Sequence, residues 1–220
     1  MNIYTVQATA DAPKSLFQWD DWADAETASI TNFRPETADF HPVVESRLKH
    51  DDANLYGIFR VQDRYIRVVH THYQDQVCQD SCAEFFFQPD VGTGYFNLEM
   101  NAGGTFLFYH VTRPRRFKGD TIEYEKVAPE HAALMEVHGS MPKIVEPEIS
   151  EPRTWFVQFR IPMAAIEPYI GPVGSLNGRK WRGNFYQCSD KCSHPRWTTW
   201  NPIPETNYHM PEYFGEIDLA

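Results

Sequence analysis

Two neighbouring segments of the chain, residues 80–88 and 95–101, carry polar side chains whose spacing suits chemistry. Both segments are rich in aromatic residues and bounded by turn-forming residues, which predicts two β-strands. Side chains alternate between the faces of a strand, so Glu99 and Asn101 share one hydrogen-bonding face, opposite an apolar face. The apolar face suits a protein core, and the polar face suits a polar ligand such as a sugar.

Glu84 and Glu99 on these two predicted strands form a candidate pair of carboxylates. Paired carboxylates carry out glycoside hydrolysis, so an enzyme that acts on a sugar derivative through Glu84 and Glu99 is one alternative function. The sequence contains no nucleophile elbow, phosphate loop or HExxH motif. Because a hairpin connects the strands, we expect Glu84, Asn101 and Arg113 to lie in one pocket. A salt bridge from Glu84 to an arginine at the rim is the structural alternative.

Four cysteines form two pairs with equal spacing, Cys78/Cys82 and Cys188/Cys192. Cys82 and Cys188 lie at the ends of apolar strands, which predicts free buried thiols rather than disulfides. A zinc site would combine Cys188, Cys192 and His194 with Cys78 or Cys82. The sequence therefore predicts no cofactor, with zinc or calcium as the alternatives.

The elements that position these residues recur about every ten to fifteen residues along the chain, which is typical of a β-sandwich or barrel. Further strands are predicted around residues 55–61, 105–112 and 155–162. One helical turn is predicted after Pro162, because proline is favoured in the first turn of a helix.

The two polar segments also resemble the family 9 carbohydrate-binding modules and the wider DOMON-like group of β-sandwiches. The motif Asp-Ser-x-x-Glu-Phe-Phe begins at Asp80, and Tyr-Phe-Asn-x-Glu-x-Asn begins at Tyr95. Segments 52–63, 182–190 and 200–215 resemble other family strands in the expected order. The resemblance covers residues 15–219. It implies an all-β, single-domain antiparallel β-sandwich with short helical turns, and a non-catalytic domain that binds a carbohydrate.

In this family two tryptophans sandwich the sugar, and the corresponding positions here are Val77 and Tyr208. Glu84 corresponds to the family's binding carboxylate and Asn101 to an asparagine of its binding strand. Glu99 stands where the family pattern has an arginine, which replaces a hydrogen-bond donor by an acceptor. We therefore expect weak binding of simple glucose- or xylose-type oligosaccharides, and tighter binding of a ligand with an extra donor group.

Three aromatic residues, Trp197, Tyr208 and His209, are predicted to form the rim of the ligand site, since they lie in loops or at strand ends. A haem- or partner-binding DOMON-like domain is a further alternative. Met100 with a histidine would supply the axial ligands of a haem. Its place on the apolar face of a strand favours core packing instead.

The composition excludes some classes of partner. The chain has 220 residues and a formal net charge of −10, which argues against a nucleic-acid or anionic-membrane surface. Its length suits one domain over residues 1–220, with residues 1–40 as an irregular N-terminal cover. The sequence as written has no signal peptide, which predicts a cytoplasmic protein, or a periplasmic or secreted one if its start has been trimmed. The oligomeric state stays open.

Overall fold

Alternating aromatic and polar residues form the strands of this protein, as their two-residue period predicts. The computed structural model describes residues 1–115 and 120–220. The strands within them are, in chain order, β1 (Ile3–Ala8), β2 (Ala28–Ser29), β3 (Asn32–Phe33), β4 (Val43–His50), β5 (Asn54–Asp63), β6 (Ile66–Val68), β7 (Cys82–Gln88), β8 (Tyr95–Asn101), β9 (Phe106–Arg113), β10 (Glu123–Lys126), β11 (Glu136–Gly139), β12 (Val145–Ile149), β13 (Arg153–Pro162), β14 (Lys180–Cys188), β15 (Trp197–Thr199) and β16 (Gly215–Leu219).

The strands form two main layers. One layer, sheet A, has the order β10-β9-β8-β7-β14-β16-β1, with β15 paired to β14 and β3 paired to β15. The other, sheet B, has the order β1-β4-β5-β13-β11, with β2 paired to β4. Strand β1 joins the layers, because Ile3 to Val6 pair with β16 and the next two residues pair with β4. The predicted antiparallel β-sandwich is confirmed, and the two pairings of β1 are parallel.

The core lies between the two sheets and consists largely of aromatic rings. Phe85 of β7 and Phe185 of β14 face inward from sheet A, and Phe59 and Phe159 face them from sheet B. The ring centroids of Phe59 and Phe185 are 6.1 Å apart, and those of Phe85 and Phe159 are 6.3 Å apart. Met100 is buried in the same core, as its position on the apolar face predicts. Every second residue of β7 and of β8 therefore points away from the core, towards the outer face of sheet A.

A buried ion pair connects sheet B to the segment that precedes β15. The side chains of Asp63 and Arg196 are fully buried, and their charged atoms are 3.0 Å apart. The indole Nε1 of Trp155 also donates to Asp63, at 2.9 Å. This pair anchors the start of β15, and β15 supplies one wall of the cavity described below.

Residues 1–40 differ from the irregular cover that the sequence predicts. They include β1, whose Tyr4 and Val6 are fully buried in the core. The alternating pattern of Tyr4 and Val6 in β1 is short. The strand depends on partners near residues 49 and 217, which are remote in sequence. This region also contains the 3₁₀ turn Trp19–Trp22.

The helices are short. They are α1 (Pro129–Ala132), α2 (Glu167–Ile170) and the further 3₁₀ turns Val77–Gln79, Met163–Ala165 and Pro211–Tyr213. The turn Met163–Ala165 follows Pro162, where one helical turn is predicted. Over residues 1–115 and 120–220, no helix has the length and apolar character needed to cross a membrane.

Candidate functional site

A cavity of about 170 Å³ opens on the outer face of sheet A. Its floor is formed by strand residues Glu84 and Phe86 of β7, Glu99 of β8 and Cys188 of β14. Its walls are formed by Cys78, Asp190, Trp197, Thr206, Asn207, Tyr208 and His209. The floor is rigid, because central strands of a sheet hold it, and the walls come largely from connecting segments.

The floor contains two carboxyl groups side by side. Glu84 and Glu99 are direct cross-strand partners in the β7–β8 pairing, and both are buried. Asn97 Nδ2 donates to Glu99 Oε1 at 3.0 Å, and the Cys188 thiol donates to Glu84 Oε1 at 2.9 Å. The two-residue period of these strands predicted that both carboxyl groups would share a face, and the register makes them neighbours.

Burial changes the charge of this carboxyl pair. Desolvation, and then the negative charge of Glu99, raise the pKa of Glu84 well above its usual range. Desolvation also raises the pKa of Glu99 to about 7. Two interacting carboxyl groups titrate as a pair, and burial together with their mutual repulsion favours retention of a proton by this pair. The floor therefore offers both a hydrogen-bond donor and acceptors to a bound hydroxyl group.

Trp197 forms part of the wall and is held in place by a hydrogen bond. Its indole Nε1 donates to Asp190 Oδ1 at 2.8 Å. Burial raises the pKa of the Asp190 carboxyl group, and the Trp197 hydrogen bond opposes that shift. Trp197 itself is partly buried and lines the cavity. A fixed aromatic ring beside polar groups is suited to stacking on the apolar face of a sugar ring.

Tyr208 is anchored to the sheet rather than projecting into solvent. Its ring stacks on Tyr186, with centroids 4.1 Å apart and planes at 14°. Its hydroxyl donates to the backbone carbonyl of Gln187 at 3.0 Å, and the Tyr186 hydroxyl donates to the Tyr208 carbonyl at 3.2 Å. One face of the Tyr208 ring is therefore covered by the protein.

His209 forms another part of the wall. Its Nδ1 lies 2.8 Å from the Tyr95 hydroxyl, and its ring centroid is 5.2 Å from that of Phe86. Burial, and then the positive charge of Arg115, lower the pKa of His209 to about 4. The imidazole is therefore neutral at physiological pH, and one of its nitrogens is committed to Tyr95.

The prediction that Glu84, Asn101 and Arg113 share one pocket is wrong. Asn101 Nδ2 donates to the His70 carbonyl and to Asp80 Oδ2, both at 2.9 Å. Its Oδ1 accepts from the Thr105 amide, so its side-chain polar atoms connect the turn after β8 to the segment before β7. Asn101 lies on the predicted face of β8, but it is the last residue of that strand and lies under the turn that follows.

Arg113 lies outside the cavity lining as well. Its guanidinium forms ion pairs with Asp120 and Glu123, each at 2.8 Å. Asp120 precedes β10 and Glu123 is the first residue of β10, which pairs with the end of β9. Strand alternation gives the face of a residue but not its position relative to a cavity edge, and for this reason the prediction failed.

The residues that the sequence analysis left out of the site include Cys78, Phe86, Asp190 and Asn207, which all line the cavity. Phe86 shares the predicted face of Glu84, so strand alternation could have identified it. Asp190 follows β14 by two residues, and no local pattern separates it from an ordinary turn residue. Val77, at the position of the family's first aromatic residue, is buried among apolar side chains.

All four cysteines are free, and Cys82 and Cys188 are buried, as predicted. The sequence-derived zinc set does not come together. Cys192 Sγ lies 3.7 Å from Ser81 Oγ, and the His194 ring stacks on Tyr65 with centroids 3.6 Å apart. Neither residue lines the cavity on sheet A.

Solved structures with this architecture include a candidate carbohydrate-binding protein from Bacteroides uniformis. It is 22% identical, covers 99% of both chains and has a TM-score of 0.84. A family 9 carbohydrate-binding module from Caldicellulosiruptor kristjanssonii is also similar. Its complex with cellotriose has 13% identity, a TM-score of 0.64, and covers 99% of this chain and 93% of that chain. Its complex with glucose has 14% identity, a TM-score of 0.62, and covers 100% and 96%. These likenesses support the fold.

The family is shown by the sequence itself. No curated protein matches this chain. The profile of carbohydrate-binding family 9 matches residues 17–219, which is nearly the whole chain. That match agrees with the resemblance found in the strand motifs and with the predicted non-catalytic, carbohydrate-binding domain. The chain therefore belongs to carbohydrate-binding family 9.

Proposed function

We propose that this domain binds one terminal unit of a saccharide in the cavity on sheet A. The observation that carries the proposal is the buried Glu84–Glu99 pair on the cavity floor, next to the fixed ring of Trp197. Carboxyl groups satisfy sugar hydroxyls, and an aromatic ring covers the apolar C–H face of a sugar. Family 9 modules of the same fold have been solved with cellotriose and with glucose, which supports a ligand of this class.

The size of the cavity supports a short ligand. Its volume of about 170 Å³ is below the range of about 300–1,000 Å³ that is typical of pockets for drug-sized ligands. A single sugar ring suits this volume better than an enclosed oligosaccharide. The remaining sugars of a chain would then extend into solvent past the wall of residues 206–209.

The polar groups of the cavity favour a ligand that is rich in donors. Glu84, Glu99 and Asp190 all bring carboxyl oxygens, and burial disfavours their ionisation. An amino group on the ligand would supply a positive charge that stabilises the ionised form of these carboxyl groups, together with several hydrogen-bond donors. We infer that an amino sugar binds more tightly than a neutral glucose- or xylose-type sugar.

The limited stacking surface supports the same conclusion. Trp197 lines the cavity, whereas Tyr208 is covered on one face by Tyr186 and Val77 is buried. A neutral sugar held by one ring gains only part of the stacking energy, which is about 0.5–1.5 kcal/mol per aromatic contact beyond area burial. Its binding then depends on hydrogen bonds to the carboxyl pair.

Titration calorimetry with cellobiose and with the matching glucosamine disaccharide tests this proposal. The amino sugar is expected to bind at least about tenfold more tightly, which corresponds to about 1.4 kcal/mol. Glu99→Gln should remove most of that preference. Glu45→Gln is the matched control, because Glu45 pairs with Arg60 on sheet B. Micromolar binding of cellobiose that Glu99→Ala leaves unchanged would contradict the proposed specificity, and no binding of either sugar would contradict the proposed site.

A further inference from the structure

A second kind of chemistry is assembled at the floor of the same cavity. The sulfur atoms of Cys82 and Cys188 and a carboxyl oxygen of Glu84 all lie within 4.8 Å of one another. Cys82 and Cys188 are direct cross-strand partners on β7 and β14, and Glu84 lies two residues further along the same face of β7. All three residues are at most 2% exposed. Two soft donors and one hard donor therefore converge on a rigid part of the sheet.

We propose that Cys82, Cys188 and Glu84 bind a zinc ion. Zinc accepts thiolate sulfur at about 2.3 Å and carboxylate oxygen at about 2.0–2.2 Å, usually in tetrahedral geometry. Tetrahedral angles at these bond lengths separate the donor atoms by about 3.5–3.8 Å. Donor atoms within 4.8 Å of one another reach that geometry by small side-chain rotations. Calcium and magnesium prefer sets of oxygen ligands, so two sulfurs favour zinc over them.

The three ligands leave one coordination position open to the cavity. Glu84 and Cys188 line the cavity, whereas Cys82 lies behind them on the floor. Three protein ligands with one exchangeable position are typical of zinc sites that bind water or another small ligand. A water molecule would fill this position, or a saccharide hydroxyl. That last point rests on the proposed saccharide binding, whereas zinc binding itself does not.

Packing of free thiols is the structural alternative, and it leaves the buried Glu84 carboxyl group without a cation. Both S–H donors have acceptors in that alternative, because the Cys188 thiol donates to Glu84 Oε1 at 2.9 Å and the Cys82 thiol donates to the Ala83 carbonyl at 3.7 Å. Within residues 1–115 and 120–220, no basic side chain forms an ion pair with Glu84. A buried acidic group without a cation is costly to ionise. A zinc ion would replace the two thiol protons without changing the net charge of the group, and it would bind a carboxylate oxygen of Glu84 directly.

Metal titration of the full chain under reducing conditions tests the site without any saccharide. The protein is stripped with a chelator and titrated with zinc in competition with a chromophoric chelator. We expect one zinc per chain. Titration with cobalt instead should give the thiolate-to-cobalt charge-transfer absorbance that marks sulfur ligands.

Variants locate the metal. The double variant Cys82→Ser/Cys188→Ser is expected to lose about 100-fold or more in zinc affinity, because removal of supporting residues alone costs about 10–100-fold. Cys192→Ser is the matched control, since Cys192 is also free and buried but contacts Ser81 outside this group. Glu84→Gln should weaken zinc binding without removing the thiolate signal of cobalt.

Three results would overturn the proposal: no stoichiometric zinc, a cobalt complex without the thiolate signal, or equal zinc affinity in the double variant. A Cys82–Cys188 disulfide that persists under reducing conditions would overturn it as well. The cobalt spectrum of the unaltered protein decides the question if the double variant does not fold. Saccharide calorimetry on zinc-free protein keeps the two proposals separate, since either can fail while the other holds.

Discussion

Two groups of buried charged side chains differ in how their charge is balanced. Asp63 and Arg196 pair at 3.0 Å between the sheets, and both side chains are fully buried. Glu84 and Glu99 are also buried and adjacent, but each faces another acid. In the described part of the chain, no basic side chain pairs with either.

This difference distinguishes the Asp63–Arg196 pair, which belongs to the scaffold of the fold, from the Glu84–Glu99 pair, which belongs to the candidate site. Asp63 accepts hydrogen bonds from Trp155, Arg64 and Arg196, so its oxygens are used within the protein. The Glu84–Glu99 pair faces a cavity and keeps unused hydrogen-bonding capacity. A buried charge that is fully partnered holds elements together, whereas buried acids that are not neutralised indicate a place where something else binds.

Removing the cation of the scaffold pair should have the largest effect. Arg196→Met leaves the Asp63 carboxylate buried without its counter-charge, and such a loss costs about 3–5 kcal/mol in the free energy of unfolding. Urea denaturation measures it. Lys180→Met is the control, because Lys180 is 68% exposed and its ion pairs should contribute at most about 1 kcal/mol. Equal effects of the two variants would mean that the Asp63–Arg196 pair is not a structural anchor.

The same kind of change in the site should affect binding instead of stability. Glu84→Gln removes a carboxyl hydrogen-bond partner, and saccharide binding to zinc-free protein should weaken by about 1–3 kcal/mol. The free energy of unfolding should stay the same or rise, because an amide is less costly to bury than an acid beside Glu99. Calorimetry and urea denaturation measure the two effects, with Glu45→Gln as the control. A large loss of stability with unchanged affinity would assign Glu84 to the scaffold.

His209 makes the stability of the protein depend on pH. Its pKa is about 4 in the folded protein, below the ordinary 6.5 of an unfolded chain. The unfolded state therefore binds more protons in this window, so stability is lost as the pH falls from about 6.5 towards 4. Between pH 7 and pH 5 this loss is about 1–2 kcal/mol. Urea denaturation at both values should show a smaller difference for His209→Gln, and an unchanged difference would exclude His209 as the source.

The smallest effect is expected at the aromatic wall. Trp197→Ala should weaken saccharide binding by about 0.5–1.5 kcal/mol, because it removes the stacking ring but leaves the carboxyl floor intact. Tyr213→Ala is the control, since Tyr213 is 40% exposed and lies outside the cavity lining. Calorimetry with the same sugars compares them. If both variants bind equally well, Trp197 does not contact the ligand.

The sequence predicted the carboxyl groups of the cavity floor better than the residues at the edges of the cavity. Strand alternation predicted correctly that Glu84 and Glu99 share an outward face while Met100 packs inward. The same alternation placed Asn101 on that face, yet its hydrogen bonds with Asp80 and Thr105 connect the segment before β7 to the turn after β8. Periodicity assigns a face, but it does not indicate where along a strand a turn or a wall covers that face.

The sequence by itself determined many of the strands, their faces and the family, because a two-residue period and short motifs are local properties of the chain. Only the tertiary structure decided which strands are neighbours. Glu84 and Cys188 are 104 residues apart in sequence and 2.9 Å apart in space. No local pattern encodes that distance, because it results from the packing of two sheets and the register between β7 and β14. The cavity, its walls and the group of Cys82, Glu84 and Cys188 are consequences of that pairing.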